Sequence, residues 1–274
     1  MELACSDYTA INVGTNFEQP EDITEYFSLQ APPNTNIWRK PSACDDTTAP
    51  MVLKRLHQSF ILAEVTVSAD FAMEYDQAGL VIFAGSLSDS SISRSPITRR
   101  SPRYLRGGNI PGPGIPAPGK WAKAGLEFTG GDLHAASVVA ISPSGADWSS
   151  SARMPSPSTT FDPYSLTSQS LRIKFERVDE SLWIWYQIPN LTSFTSSEQS
   201  DHHAGPGYGR GRSPEDVGSG WTKMREVMGF FGGVEQKGNV WVGCYASRPM
   251  NFEPSNRWEE VDQLVAEFED LDIL

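Results

Sequence analysis

The stretch LRIKFERVDESLWIWYQI, residues 171–188, consists of two alternating runs separated by a polar break. Strand side chains point to opposite faces with period 2. Leu171, Ile173 and Phe175 therefore share one face, and Arg172, Lys174 and Glu176 the other. In the second run Leu182, Ile184, Tyr186 and Ile188 form an apolar face, which leaves Trp183, Trp185 and Gln187 opposite. Asp179-Glu180-Ser181 reads as a short hairpin connection. The pair is a piece of antiparallel sheet with one face on a core and two tryptophans on the other.

The same alternation extends through the body of the chain. FILAEVTVSADF (60–71), MEYDQAGLVIFA (73–84), KWAKAGLEF (120–128), AASVVAIS (135–142) and VWVGCYAS (240–247) all read as strands. Strands of this number and spacing predict an all-β sandwich or jelly roll, formed as a single domain over residues 1–250. Two segments rich in Ser, Arg, Pro and Gly, 86–119 and 190–220, read as long loop insertions, either lids or disordered segments. In residues 251–274, Trp258, Val261, Leu264, Val265, Phe268 and Leu271 recur at helical spacing among acidic residues. That pattern predicts an acidic amphipathic C-terminal helix docked by its apolar stripe.

Composition excludes several classes of function. The 274 residues carry a net charge of −12, and neutralising phosphates needs a basic surface, so no nucleic-acid partner is expected. No run of about 18 apolar residues is present to span a membrane. The N-terminal stretch lacks a basic and then apolar leader, and Cys5, Cys44 and Cys244 are spread far apart, as in a reduced cytoplasmic protein. His202 and His203 have no second ligand pair at metal spacing, and GPGYGRG (205–211) lacks the flanking strand and helix of a nucleotide site. The expectation is therefore no metal and no cofactor. Arg94, Arg99, Arg100, Arg103 and Arg106 form a basic island that reads as a solvated loop.

Sorting each strand by its apolar side leaves a second face. It contains Trp121, Lys123, Gly125 and Glu127 from one strand, and Trp241, Gly243, Tyr245 and Ser247 from another. The opening hairpin adds Arg172, Lys174, Glu176, Trp183, Trp185 and Gln187. In 73–84 the choice stays open between Tyr75, Gln77 and Gly79 or Glu74, Asp76 and Ala78. Tryptophans mixed with charges and glycines suit a ligand groove better than a solvated face or a second core.

The blocks APPNTNIWRKP (31–41), YDQAGLVI (75–82), KWAKAGLEF, LRIKFERV with LWIWY, MREVMGFF (224–231) and VWVGCYASRP (240–249) resemble, in order, fungal proteins related to a yeast regulator of enolase. The resemblance implies a concanavalin A-like sandwich. Hydrolases of that architecture carry an E-x-D-x-E strand. Here MEYDQAG offers Glu74 and Asp76 but Ala78 in third place, which speaks against a retaining pair of carboxyls about 5 Å apart.

These readings lead to a small-molecule ligand or substrate held in an aromatic-lined groove on the concave sheet face. Trp121, Trp183, Trp185, Trp241, Gln77, Asp76 and Gln187 would bind it. Lys123, Glu127, Tyr245, Arg172 and Arg39 are the candidate catalytic groups of a cofactor-independent isomerase or cyclase acting on an apolar fungal secondary metabolite. The alternative is a non-catalytic carbohydrate-binding or metabolic-regulatory protein.

Overall fold

The computed structural model describes residues 8–15, 17–18, 20, 22–41, 44–85, 119–155, 169–189, 220–234, 240–250 and 263–274. The described elements are strands: β1 (Tyr8–Ile11), β2 (Tyr26–Ala31), β3 (Ile37–Lys40), β4 (Cys44–Thr47), β5 (Met51–Leu56), β6 (Leu62–Ala69), β7 (Gln77–Ala84), β8 (Lys120–Thr129), β9 (Asp132–Ser142), β10 (Gly145–Arg153), β11 (Ser170–Val178), β12 (Ser181–Gln187), β13 (Thr222–Val227), β14 (Val240–Ser247) and β15 (Leu264–Ile273). A seven-stranded sheet runs β1-β5-β14-β7-β8-β9-β10, a six-stranded sheet runs β13-β12-β11-β6-β15-β2, and β3-β4 form a separate hairpin. The architecture is an all-β jelly-roll sandwich of antiparallel sheets. No helix among the described residues is long and apolar enough to cross a membrane.

The main core lies between the sheets. Leu80, Ile82, Ala122, Leu126, Val139, Val242 and Cys244 come from the seven-stranded sheet, and Val65, Leu171, Ile173, Phe175, Leu182, Ile184 and Phe268 from the six-stranded one. A second apolar cluster lies on the outer face of the seven-stranded sheet. There Met51, Leu53, Val81, Phe83, Trp121, Val138, Ala140 and Tyr245 pack with Ile37, Trp38 and Ala49. The central strands of this sheet are thus buried on both faces. β7 is buried at all eight positions, which is why its sequence shows an apolar run with no clean alternation.

The C-terminal segment differs from the helix expected of it. Residues 251–262 lie outside the described residues, and 264–273 form β15, inserted between β6 and β2. Leu264, Ala266 and Phe268 point inward, the register shifts between Glu269 and Asp272, and Leu271 and Ile273 then point inward again. Asp270, at φ 55°, sits in this bulge. The extra residue changes a spacing of two into one of three, and 264, 268 and 271 then imitate a helix; Val265, expected on the apolar stripe, is 45% exposed. Apart from Gly119 and Gly220, the two expected insertions lie outside the described residues, as do the arginine island, the histidine pair and the glycine-rich run.

Candidate functional site: a buried polar cluster on the outer sheet face

Directly opposed residues in neighbouring strands share a face, so the register lays out the outer face of the seven-stranded sheet as rows. Trp241, Phe83, Trp121 and Ala140 form one row. Gly243, Val81, Lys123, Val138 and Trp148 form the next. Tyr245, Gly79, Gly125 and Ala136 form a third, and Ser247, Gln77, Glu127 and His134 a fourth. The choice left open in β7 is thereby resolved in favour of Gln77 and Gly79.

The third row is a trough. A Cβ at Gly79 would run into the carbonyl oxygen of Ala124, and one at Gly125 into that of Ala78, so only glycine fits where these backbones approach. Lys123 leaves its own row between Val81 and Val138 and crosses the glycines. Its Nζ donates to Gln77 Oε1 at 2.6 Å and lies 5.4 Å from the centre of the Tyr245 ring. Across the trough Glu127 accepts from Trp148 Nε1 on both oxygens, at 2.9 and 3.0 Å. Lys123 and Glu127, about 13 Å apart along the strand by its rise, are thus bonded to different partners while acting on one another electrostatically.

Burial governs the protonation of this cluster. Lys123 is 1% and Glu127 4% exposed. Loss of hydration disfavours a charged form and pulls the Lys123 ammonium down to about 7, opposed by the negative charges of Glu127 and Asp46. The same effect raises Glu127, opposed by its bond from Trp148 and by the charge on Lys123. The Tyr245 phenol is pushed well up by burial and by Glu127. Ser247 Oγ is buried and has no hydrogen-bond partner among the described residues.

The other candidates fall elsewhere. Arg39 is a clamp: Nε and Nη2 donate to the two oxygens of Asp45 at 2.7 Å each, and further donors reach the carbonyls of Ala140 and Gly119. Trp121 Nε1 donates to Asp45 Oδ1 at 3.2 Å. Together they pin the β3-β4 hairpin over one end of the sheet. Asp76 is committed to Arg248 in a fully buried ion pair at 2.8 Å, and Trp241 lies beneath the Arg55 guanidinium at 5.7 Å.

Arg172, Trp183, Trp185 and Gln187 belong to the six-stranded sheet and face the opposite side of the sandwich. They do not join Lys123 in one groove. On that side cations alternate with indoles. Lys223 Nζ sits 3.3 Å from the Trp183 ring centre, Lys174 lies between Trp185 and Trp221 at 5.3 and 5.1 Å, and Arg172 stacks on Trp221 at 5.4 Å. Two clefts, of about 400 Å³ along Val139, Ser142, Asp147 and Arg225 and about 320 Å³ beside Phe17 and Tyr26, have linings that exclude Lys123, Glu127 and Tyr245. Trp148 is the site residue that sequence reasoning missed. It stands in a largely polar edge strand, GADWSSSAR, announced only by the Pro143-Ser144 turn and the glycine that follows it.

The fold and this cluster define a jelly-roll sandwich protein with buried Lys123, Glu127 and Tyr245 on its outer sheet face. The chain belongs to the family described as protein of unknown function DUF1349, whose model matches residues 15–273. It is 28% identical over 243 residues to an uncharacterised protein of Emericella nidulans, covering 88% of this chain and 86% of that one. Among solved structures, a functionally unknown protein from Saccharomyces cerevisiae is similar, with a TM-score of 0.55 and 16% identity over 100% of this chain and 98% of that one. That likeness agrees with the fold.

Proposed function

We propose that the outer face of the seven-stranded sheet binds a small, largely apolar molecule and moves a proton on it without a cofactor, as an isomerase or cyclase does. One observation carries this reading: Lys123 and Glu127, both buried on one face, have proton affinities displaced toward each other. A lysine near 7 and a carboxyl raised above its ordinary value are matched to acid–base work near neutral pH. Tyr245 supplies a phenol beside them, and Ser247 a buried hydroxyl without a hydrogen-bond partner among the described residues. The valines and Tyr245 make the surroundings apolar.

In this mechanism Glu127 takes or returns the substrate proton, held in place by Trp148 while it does so. Lys123 and Tyr245 donate to the oxygen on which charge develops. Gln77 fixes the direction of the Lys123 amine. The test is to incubate the protein with an organic extract and follow bound and converted species by mass spectrometry, in wild type and Glu127→Gln. Retention in both with conversion only in wild type supports the reading; equal conversion in both removes Glu127 from it.

A second reading is favoured by the 43% exposure of Trp148, which offers a stacking surface next to a carboxylate. It makes the protein a carbohydrate-binding or metabolic-regulatory partner, in line with the resemblance to the regulator-of-enolase relatives. A sugar panel and an enolase assay with added protein test it.

A further inference from the structure

Lys123 has the surroundings of a nucleophile as much as those of an acid. Its flanking residues within the row are Val81 and Val138, and one hydrogen-bond acceptor, Gln77 Oε1, meets its Nζ among the described residues. An ammonium has three donors to satisfy, whereas a neutral amine satisfied by one acceptor keeps its lone pair for a partner. Glu127 is bonded to Trp148 Nε1 and Lys123 Nζ to Gln77 Oε1, so the two groups are not joined in an ion pair. Beneath lies the trough of Gly79, Gly125 and Ala136, where two glycines leave backbone as most of the floor.

We propose that Lys123 forms an imine with the ligand, and that the ligands of this site are small aldehydes or ketones. The proposal rests on the reading of this cluster as a catalytic site and names the chemical class of its substrate. The neutral amine adds to the carbonyl carbon; the C–N bond forms, and the π pair moves to oxygen, which takes up the proton lost by nitrogen. Glu127 in its acid form then protonates the carbinolamine hydroxyl, which leaves as water, and the iminium remains opposite the Glu127 carboxylate. That carboxylate removes a proton from the carbon next to the iminium to give an enamine. Return of the proton and addition of water release the product and restore both groups. No oxidant or co-reactant is needed. The depressed proton affinity of Lys123 supports this chemistry, since neutral lysine is the form that attacks carbonyls.

The experiment uses hexanal and cyclohexanone as probes, with sodium borohydride to reduce any imine at pH 7.5, followed by intact-mass measurement and peptide mapping. The expected result is one probe-dependent adduct on Lys123 at low probe excess, absent in Lys123→Met and formed at least tenfold more slowly in Glu127→Gln. Labelling of Lys123 no greater than that of exposed lysines in the wild-type protein overturns the proposal, whether or not the Met variant folds. Exchange of the cyclohexanone α-protons in D2O is followed in parallel. Exchange that depends on Glu127, without trapping at Lys123, leaves the acid–base reading standing and removes the imine. Absence of both removes the two together.

Discussion

Trp148 Nε1 spans the seven-stranded sheet from β10, across β9, to bond both carboxylate oxygens of Glu127 in β8. An edge strand thus holds a central carboxylate in place. The bond favours the ionised form, and burial opposes it more strongly.

Trp148→Phe keeps the ring and removes the donor. The Glu127 pKa should rise further, seen as an upward move of its carboxylate titration by carbon-13 NMR. Glu127→Gln should lower turnover by about 10²- to 10⁴-fold, the usual worth of one acid–base group. An unmoved titration in the Phe variant would show that the indole does not tune this carboxyl.

Lys123→Met makes a prediction about pH. The folded-state value is depressed from 10.5 to about 7, so between those values the unfolded chain binds the extra proton and wild-type stability from this group rises with pH. The contribution is fully present above 10.5 and lost as pH falls through about 7. At about 1.4 kcal/mol per unit, the advantage of the Met variant should shrink steadily between pH 7 and 10. Denaturant melts at several pH values would show it, and a pH-independent difference would contradict the burial of the amine.

The tryptophans of the opening hairpin lead to the opposite expectation from the one their sequence suggested. Trp183→Ala or Trp185→Ala should cost stability, with about 0.5–1 kcal/mol traceable to each lost exposed cation–indole contact, and should leave ligand retention at Lys123 unchanged. Loss of retention in a folded variant would move the site to the six-stranded sheet.

Arg248 and Asp76 form a buried pair next to β7 and β14. Asp76→Ala removes this carboxylate from the buried guanidinium, for which about 3–5 kcal/mol is expected. Urea unfolding measures it. A loss below about 1 kcal/mol would mean that water reaches Arg248 there, since such small effects belong to surface pairs.

Much of the fold was legible because β8, β11, β12 and β14 each separate an apolar face from a mixed one. That separation correctly put Lys123, Glu127, Tyr245 and Trp241 on one side of their strands, and Arg172, Trp183 and Trp185 on one side of theirs. Alternation reports the face within a sheet but not the sheet to which a strand belongs. Two outer faces on opposite sides of the sandwich were therefore merged into one groove. The ion pairs of Arg39 and Asp76 are hidden from the sequence for another reason: their partners, Asp45 and Arg248, are set by tertiary packing. β15 was hidden by its bulge, and Trp148 by the polar character of an edge strand.

The placement of β15 also has a consequence for synthesis. Among the described strands β2, made early, pairs with β15 alone, and β6 has β15 as one of its two neighbours. Until residue 264 has emerged, the growing chain holds two open strand edges from its first quarter, and such edges recruit other chains. Folding here waits on a late arrival, and the nascent protein has most need of protection while that strand is still missing.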